Sequence, residues 1–561
     1  MGSKEFISQA RRWNGATRHD CVASNGMVAS KHRLISEIGV KMMKKGGNAV
    51  DAAVASAFMD CVVEPAMNGI GGEGVMAIHL ESGENVIIDY VGRPSFNSTP
   101  DMFELEESIE SGWMGWRKVK NDSNVIGYKA CVVPGTVAGL TLALERYGTM
   151  KLRDVVEPAA KVAKEGFIVG WWTAGSIFRR MEDFWKFDEW RKIYLRDGKF
   201  PYIPYNIEQK TPHVLRNTEL SNCLYDISEY GAEVFYKGWI AKTIAAELAK
   251  NEGILTEEDF AVYEPIISEP DPGTYRDYEL IYDPTHSGTT MMQILNIMEG
   301  YDLSSMRFGS AQALHIVSEA IGLAFADRFM YMGDPGYVGV PQRGMVSKEY
   351  AKTLRDRIED YRAIKIEHGD PWRYEPDCTT ALAVGDKDGN MVAVNQTIVD
   401  SFGSGVVIPG TGIVMNNAMY GLNPKPGTAN SIDGRKRRIQ NVCPTIVLRD
   451  GVPYIALGAP GGRNIQVSIA QVIHYVIDYG MGIQDAVDAP RVTRETGPTY
   501  LDSRFSSEIR DRLVAMGHDV VYVDPELRGW GRPVGVLRED GILHGGVYSL
   551  LTGFESMAVG F

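Results

Sequence analysis

The feature that most constrains this chain is Asp377-Cys378-Thr379-Thr380-Ala381-Leu382-Ala383-Val384-Gly385-Asp386. It leads through a Lys387-Asp388-Gly389-Asn390 turn into Met391-Val392-Ala393-Val394-Asn395-Gln396-Thr397. Two apolar, alternating runs around a glycine-containing turn predict a strand-turn-strand hairpin that brings Thr397 near Thr379. A polar Glu375-Pro376-Asp377 flank precedes it, and the whole reads as a self-cleavage junction. A hydroxyl is a weak nucleophile near neutral pH and needs a base. The α-amine of the same residue, with an unperturbed pKa of about 7.7–8, supplies one once the preceding bond is cut. An intact peptide nitrogen accepts no proton, so a cut between Cys378 and Thr379 is expected to switch activity on. A Thr-Thr pair is also what ordinary β-propensity produces, so the rest of the chain has to decide.

At 561 residues, 44% hydrophobic and 23% charged, the chain is long enough for a large core or two intimately associated portions. A net charge of −14 argues against a nucleic-acid partner, which calls for a clustered basic surface. The one tight basic run, Arg435-Lys436-Arg437-Arg438, reads as a solvated loop, with anion binding by one arginine as the alternative. The cysteines at 21, 61, 131, 223, 378 and 443 form no CxxC pair, and the histidines show no HxH, HExxH or HxxxH pairing. No disulfide framework, metal or cofactor is therefore expected. The N-terminus has no secretory pattern and no run of about 18 apolar residues follows, so no membrane partner and a cytoplasmic location are expected.

Helical spacing predicts a helix over 32–43, a break at Gly46-Gly47-Asn48, and a second helix from Ala49 through Phe58 whose small residues allow close packing. A glycine-rich turn, Glu64 to Gly74, leads into a strand around Val75–Leu80. No Gly-Lys-Ser/Thr follows and no GxGxxG opens a helix, which excludes a phosphate cradle. A long helix is expected over Ala311–Phe329. Together with Phe402-Gly403-Ser404-Gly405, Gly412-Ile413-Val414-Met415-Asn416-Asn417, Cys443-Pro444-Thr445-Ile446 and Gly458-Ala459-Pro460-Gly461-Gly462-Arg463, this ordered series resembles the γ-glutamyltranspeptidase family from about residue 25 to the end.

The resemblance implies an α/β (α+β) fold, the four-layer αββα sandwich of N-terminal nucleophile hydrolases. It implies self-cleavage into a large chain, 1–378, and a small chain, 379–561, that together form one unit. It implies that Thr379 is the nucleophile, that Thr397 orients it, and that the Gly461 and Gly462 amides form an oxyanion hole. The family's clamp for the glutamyl headgroup is largely missing. Its arginine after an Ile-Asp strand is absent behind Ile88-Asp89-Tyr90, with Arg93 two residues further on than Val91. Its asparagine beyond the second threonine is Val399, the residues that grip the α-amine align with Gly421 and Ala418, and its paired serines align with Gln440 and Asn441. A buried charge without a partner is costly, so the expected substrate is a small-molecule amide with a non-standard acyl group, one whose carboxylate is held by Arg93, Arg437 or Arg438. The loop from Leu422 to Gln440 is shorter than in lid-bearing relatives, which points to an open site and to hydrolysis rather than transfer. The alternatives are a true γ-glutamyltransferase or glutathione hydrolase, a C–C bond hydrolase of the same family, and an unprocessed binding protein. Assembly beyond the two chains stays open.

Overall fold

The structure is a computed structural model that describes residues 19–111, 115–204, 212–270, 272–374, 384–495, 497–525, 530–550 and 556–561, without the side chains of 108–111. Cys378, Thr379 and the expected cut lie outside the described residues.

Two seven-stranded antiparallel sheets face each other. Their strands are β1 (Cys21–Ala23), β2 (Gly26–Ser30), β3 (Glu73–His79), β4 (Asn85–Tyr90), β5 (Ile266–Ser268), β6 (Gly273–Tyr275), β7 (Tyr278–Ile281), β8 (Gly385–Asp386), β9 (Met391–Thr397), β10 (Thr445–Arg449), β11 (Val452–Gly458), β12 (Val534–Glu539), β13 (Ile542–Val547) and β14 (Met557–Gly560). One sheet runs β1-β13-β12-β11-β10-β7-β6 and the other β14-β2-β8-β9-β3-β4-β5. Both mix residues from before and after position 379, so neither expected chain owns a sheet.

Helices cover the outer faces. α1 (Arg33–Lys44) and α2 (Ala49–Val63) lie over the second sheet, and α3 (Leu152–Glu165) packs on α2. Next in the chain is α4 (Trp171–Phe184), and α5 (Gly288–Met298), α6 (Ala311–Tyr331), α7 (Asn464–Tyr479) and α8 (Ile483–Asp488) form the layer over the first sheet. This is the expected four-layer αββα arrangement. α2 is buried on every side except at Asp60, which explains its run of alanine and valine. Its start carries a reciprocal cap between Asn48 and Asp51, the arrangement that satisfies two otherwise orphaned donors. The expected elements match closely: α1 covers 33–44, α2 begins at Ala49, α6 begins at Ala311 and β9 spans Met391–Thr397.

The hairpin is held by one carboxylate. Asp386 Oδ1 accepts the backbone N–H groups of Asp388, Gly389 and Asn390 at 3.0, 3.1 and 3.0 Å, and its Oδ2 accepts that of Ala49 at 3.0 Å. It therefore shapes the turn and also sits at the positive end of α2. Gly385 pairs with Met391, and β9 pairs with β3 along its full length, from Met391↔His79 to Thr397↔Glu73. Asp386→Ala leaves four backbone donors without this acceptor and should cost about 2–4 kcal/mol, read as a lowered urea midpoint with unchanged m-value.

Candidate active site

At the Thr397 end of β9 the two sheets are pinned together by Asn395, whose Nδ2 donates to the Ala459 carbonyl at 2.9 Å. Beside this tie lies a cavity of about 170 Å³. Its walls include Ile35, Ala53 and Ala57 from α1 and α2, Thr397 and Val399 at the end of β9, and Pro460, Gly461 and Gly462 beyond β11. The glycine-rich turn passes directly behind Thr397: a Cβ on Gly72 would come within 2.5 Å of the Thr397 carbonyl oxygen, so only glycine fits.

Thr397 Oγ1 accepts the N–H of Val399 at 2.8 Å. Val399 itself has φ of +82°, a conformation that costs a β-branched residue about 1–2 kcal/mol. The strained turn keeps Thr397 and Val399 together on the wall. Across the cavity Gly461 and Gly462 have φ of +145° and +57°, angles that favour glycine. Neither amide donates to another described residue, and α7 begins two residues later. Two unengaged N–H groups at a helix N-terminus form a preorganised site for negative charge.

Six of the sequence-derived candidates, Thr397, Arg438, Gln440, Asn441, Gly461 and Gly462, line this cavity, as does Val384, the first described residue after the hairpin's expected nucleophile. Arg93 does not. Its backbone bridges Val133 and its Nη1 donates to the Arg435 carbonyl at 3.1 Å, so the expectation that it holds a substrate carboxylate is corrected.

The solvated-loop reading of the basic run is also corrected, because Lys436, Arg437 and Arg438 are buried. Carboxylates from earlier in the chain surround the two arginines. Arg437 pairs with Asp89, and its Nη2 meets Asp334 Oδ1 at 2.8 Å. Burial opposes ionisation of Asp89 and Asp334, yet Arg437 holds both carboxyls below the usual range. Arg437 is thus already engaged by two carboxylates. Arg438 gives Nε and Nη2 to Glu73 Oε1, which also accepts from Gln440. Its Nη1 is buried with no hydrogen-bond partner among the described residues. Arg328 closes the network, donating to the Gln440 carbonyl at 2.9 Å and to Asn441 Oδ1 at 3.0 Å.

Arg438 also explains Gly421. A Cβ there would come within 2.5 Å of Arg438 Nη1. The guanidinium fills the room that a side chain at 421 would need.

A separate buried cluster joins His315, Glu319 and His518, which no sequence spacing announced. His315 Nδ1 and His518 Nε2 lie 2.7 Å apart, and Glu319 pairs with Arg494. None of the three lines the cavity, and Arg494 beside Glu319 opposes a divalent cation there.

The model of the gamma-glutamyltranspeptidase family matches residues 35–547. The chain is similar to the glutathione hydrolase proenzyme of Escherichia coli (strain K12), 36% identical over 90% of this chain and 87% of that protein. It is similar to the acylase ACY 1 proenzyme of Pseudomonas sp. (strain SE83), 37% identical over 93% and 91%. Among solved structures, cephalosporin acylase from Bacillus halodurans superposes with a TM-score of 0.86 at 29% identity, covering 97% of each chain.

Sequence reasoning missed the charged end of the cavity. Lys31, which follows β2, and Asp60, on α2, both line it, and Lys31 Nζ lies 3.5 Å from Glu64 Oε2. The signal was present, since Asp60 interrupts the apolar run Ala57-Phe58-Met59 and Cys61-Val62-Val63. Burial pushes the Asp60 carboxyl up to about 6, against the pull of Lys31. A carboxyl raised in the folded state contributes stability at low pH and loses it as pH rises from about 4 through 6. Asp60→Asn removes that loss. Relative to wild type the variant should gain about 2 kcal/mol between about pH 4 and about pH 7.5, measured by urea unfolding, and an unchanged difference would contradict the assignment.

Proposed function

Because the chain belongs to the γ-glutamyltranspeptidase family, we propose that it is an autoprocessed hydrolase that cleaves an amide through a Thr379 acyl-enzyme, on an acyl group other than γ-glutamyl. The bond between Cys378 and Thr379 would be cut to give chains 1–378 and 379–561, as the proenzyme names of the relatives suggest. Val384, five residues after Thr379, lines the same cavity as Thr397, which supports the expected partnership of the two threonines.

The proposed reaction needs a hydroxyl, a base and an oxyanion site. The Thr379 hydroxyl attacks the amide carbonyl while its own α-amine takes the proton. The Gly461 and Gly462 amides stabilise the tetrahedral oxyanion, a contribution of roughly 3–4 kcal/mol per donor in comparable sites. Collapse breaks the C–N bond, the α-amine returns the proton to the leaving amine, and water then hydrolyses the threonine ester.

Arg438 carries the acyl assignment. Its side chain lines the cavity, and its Nη1, which no described residue engages, lies over Gly421, the position that aligns with the family's acidic grip on an ammonium. An α-ammonium would meet a guanidinium there. A carboxylate would satisfy it, with a charge-assisted hydrogen bond, so the acyl group that fits carries a terminal carboxylate and no α-amine. Similarity to proteins named as acylases supports this reading.

Intact mass of the denatured protein should show two fragments meeting between Cys378 and Thr379, and a single chain for Thr379→Ala. An uncut wild-type chain would favour a binding protein instead. The processed enzyme should hydrolyse glutaryl-4-nitroanilide at least tenfold faster than γ-glutamyl-4-nitroanilide, a difference of about 1.4 kcal/mol in transition-state binding. A kcat/KM for the γ-glutamyl compound above about 10⁴ M⁻¹s⁻¹, within the ordinary range for a natural substrate, would return the protein to the glutathione hydrolases.

A further inference from the structure

Gln440 and Asn441 bring two side-chain amides to the cavity wall. An amide offers a donor on one side and an acceptor on the other, so the side that faces the cavity decides what can bind there. Two buried charges that do not themselves line the cavity, Glu73 and Arg328, make that choice.

The Glu73 carboxylate only accepts. Gln440 Nε2 donates to its Oε1, which leaves Gln440 Oε1 to accept the Asn441 N–H at 3.1 Å. The Arg328 guanidinium, on α6, only donates. It is 3% exposed, and although burial pulls it down to about 10 it remains a cation at neutral pH. It gives Nη1 to the His286 carbonyl at 3.0 Å and to Thr290 Oγ1 at 3.3 Å, and Nη2 to the Gln440 carbonyl and to Asn441 Oδ1. These four partners are all neutral acceptors. Turning the Asn441 amide over would set Nδ2 against the guanidinium, donor against donor, and lose a buried charge-assisted bond. The backbone of the loop is clamped from the same side. Ser287 Oγ donates to the Gln440 carbonyl at 2.8 Å, and His286 Nδ1 accepts the Gln440 N–H at 3.3 Å.

Asn441 therefore keeps its oxygen on Arg328. Its Nδ2 donates to no described residue and is the part of the amide left for a ligand. Gln440 is engaged at both ends, so Arg438 Nη1 and Asn441 Nδ2 remain, and both are donors. We infer that Arg328 is a positioning residue for substrate selection, one that presents the Asn441 amide to the cavity as a donor only. Asn441 Nδ2 and Arg438 Nη1 then select an acyl group whose far end only accepts, a carboxylate, over one that ends in a carboxamide or a hydroxyl. That the carboxylate belongs to the acyl half rests on the reading above, whereas the polarity of the wall rests on Glu73 and Arg328.

The test compares glutarate with glutaramate, in which a carboxamide replaces one carboxylate, by calorimetry on the mature protein. The wild type should bind glutarate at least tenfold more tightly, as one charge-assisted contact implies. Arg328→Gln, whose amide accepts as well as donates, frees Asn441 to turn and should bring the two affinities within about threefold, while Arg328→Lys, still a donor only, should keep most of the difference. Asn441→Asp retains an oxygen on Arg328 but turns a second one to the cavity, and should also erase most of the preference; because it keeps the Arg328 contact, it guards against a folding failure of the arginine variants. In turnover of glutaryl-4-nitroanilide, Arg328→Gln should raise KM by more than it lowers kcat, whereas partial unfolding would lower the active fraction and leave KM alone. A preference for glutarate that survives both Arg328→Gln and Asn441→Asp assigns selection to Arg438 alone and overturns the positioning role, with the acyl reading intact. Equal binding of the two ligands to the wild type overturns both. Loss of the preference in the two variants, without hydrolysis of the anilide by the wild type, upholds the positioning role and overturns the hydrolase reading.

Discussion

The rest of the site depends on two arginines buried in one loop. Arg437 and Arg438 lie next to each other at 9% and 2% side-chain exposure, and an unpaired buried guanidinium would cost several kcal/mol. Each is met by carboxylates from far earlier in the chain, Asp89 and Asp334 for one and Glu73 for the other. Such pairs add little net stability over an apolar core, but breaking one by removing a partner costs about 3–5 kcal/mol. Their effect is to fix position. The 435–441 loop has one place to be, and with it Gln440 and Asn441 take their positions on the cavity wall.

That constraint also joins the two halves of the sequence. All three carboxylates precede position 379 and both arginines follow it, so the network crosses the expected cut without needing a peptide bond there. The sheets cross it too, through β8 and β9 between β2 and β3. Glu73 does double work at this junction: its backbone pairs with Thr397, and its carboxylate holds Arg438, Gln440 and the N–H of Gly92. A displacement of the 435–441 loop would therefore be felt at Thr397 through one residue. Asp283, pushed up to about 6 by burial, and His286, whose own burial is outweighed by Asp283 and Asp89, lie in the same network.

The local elements were legible in the sequence because each rests on short-range physics. The Lys387–Asn390 turn, the Asn48 cap and the uniform apolarity of α2 need only neighbours to define them. Thr397, Gly461 and Gly462 could be placed because their positions follow from strand ends and turns. The basic run was misread for the opposite reason. Four consecutive cations look solvated unless their carboxylates are known, and those come from β3, β4 and the segment after α6, separations of about a hundred residues or more. Arg93 failed similarly, since its bond to the Arg435 carbonyl belongs to a contact between distant loops. The cluster of Lys31, Asp60 and Glu64 was visible only as charges out of place in apolar segments.

In the proposed reaction the oxyanion is held by backbone, and the substrate would be chosen by side chains. The glycine amides, the strained turn at Val399 and the passage of Gly72 behind Thr397 depend on chain path, which two facing sheets and their covering helices hold rigid. Substitutions on the walls can therefore change the lining of the cavity without moving these backbone positions. Gly421 and Arg438 show how such a change can come about: loss of a side chain at one position opens space that a guanidinium from another fills, and the local charge changes sign with the strands in place.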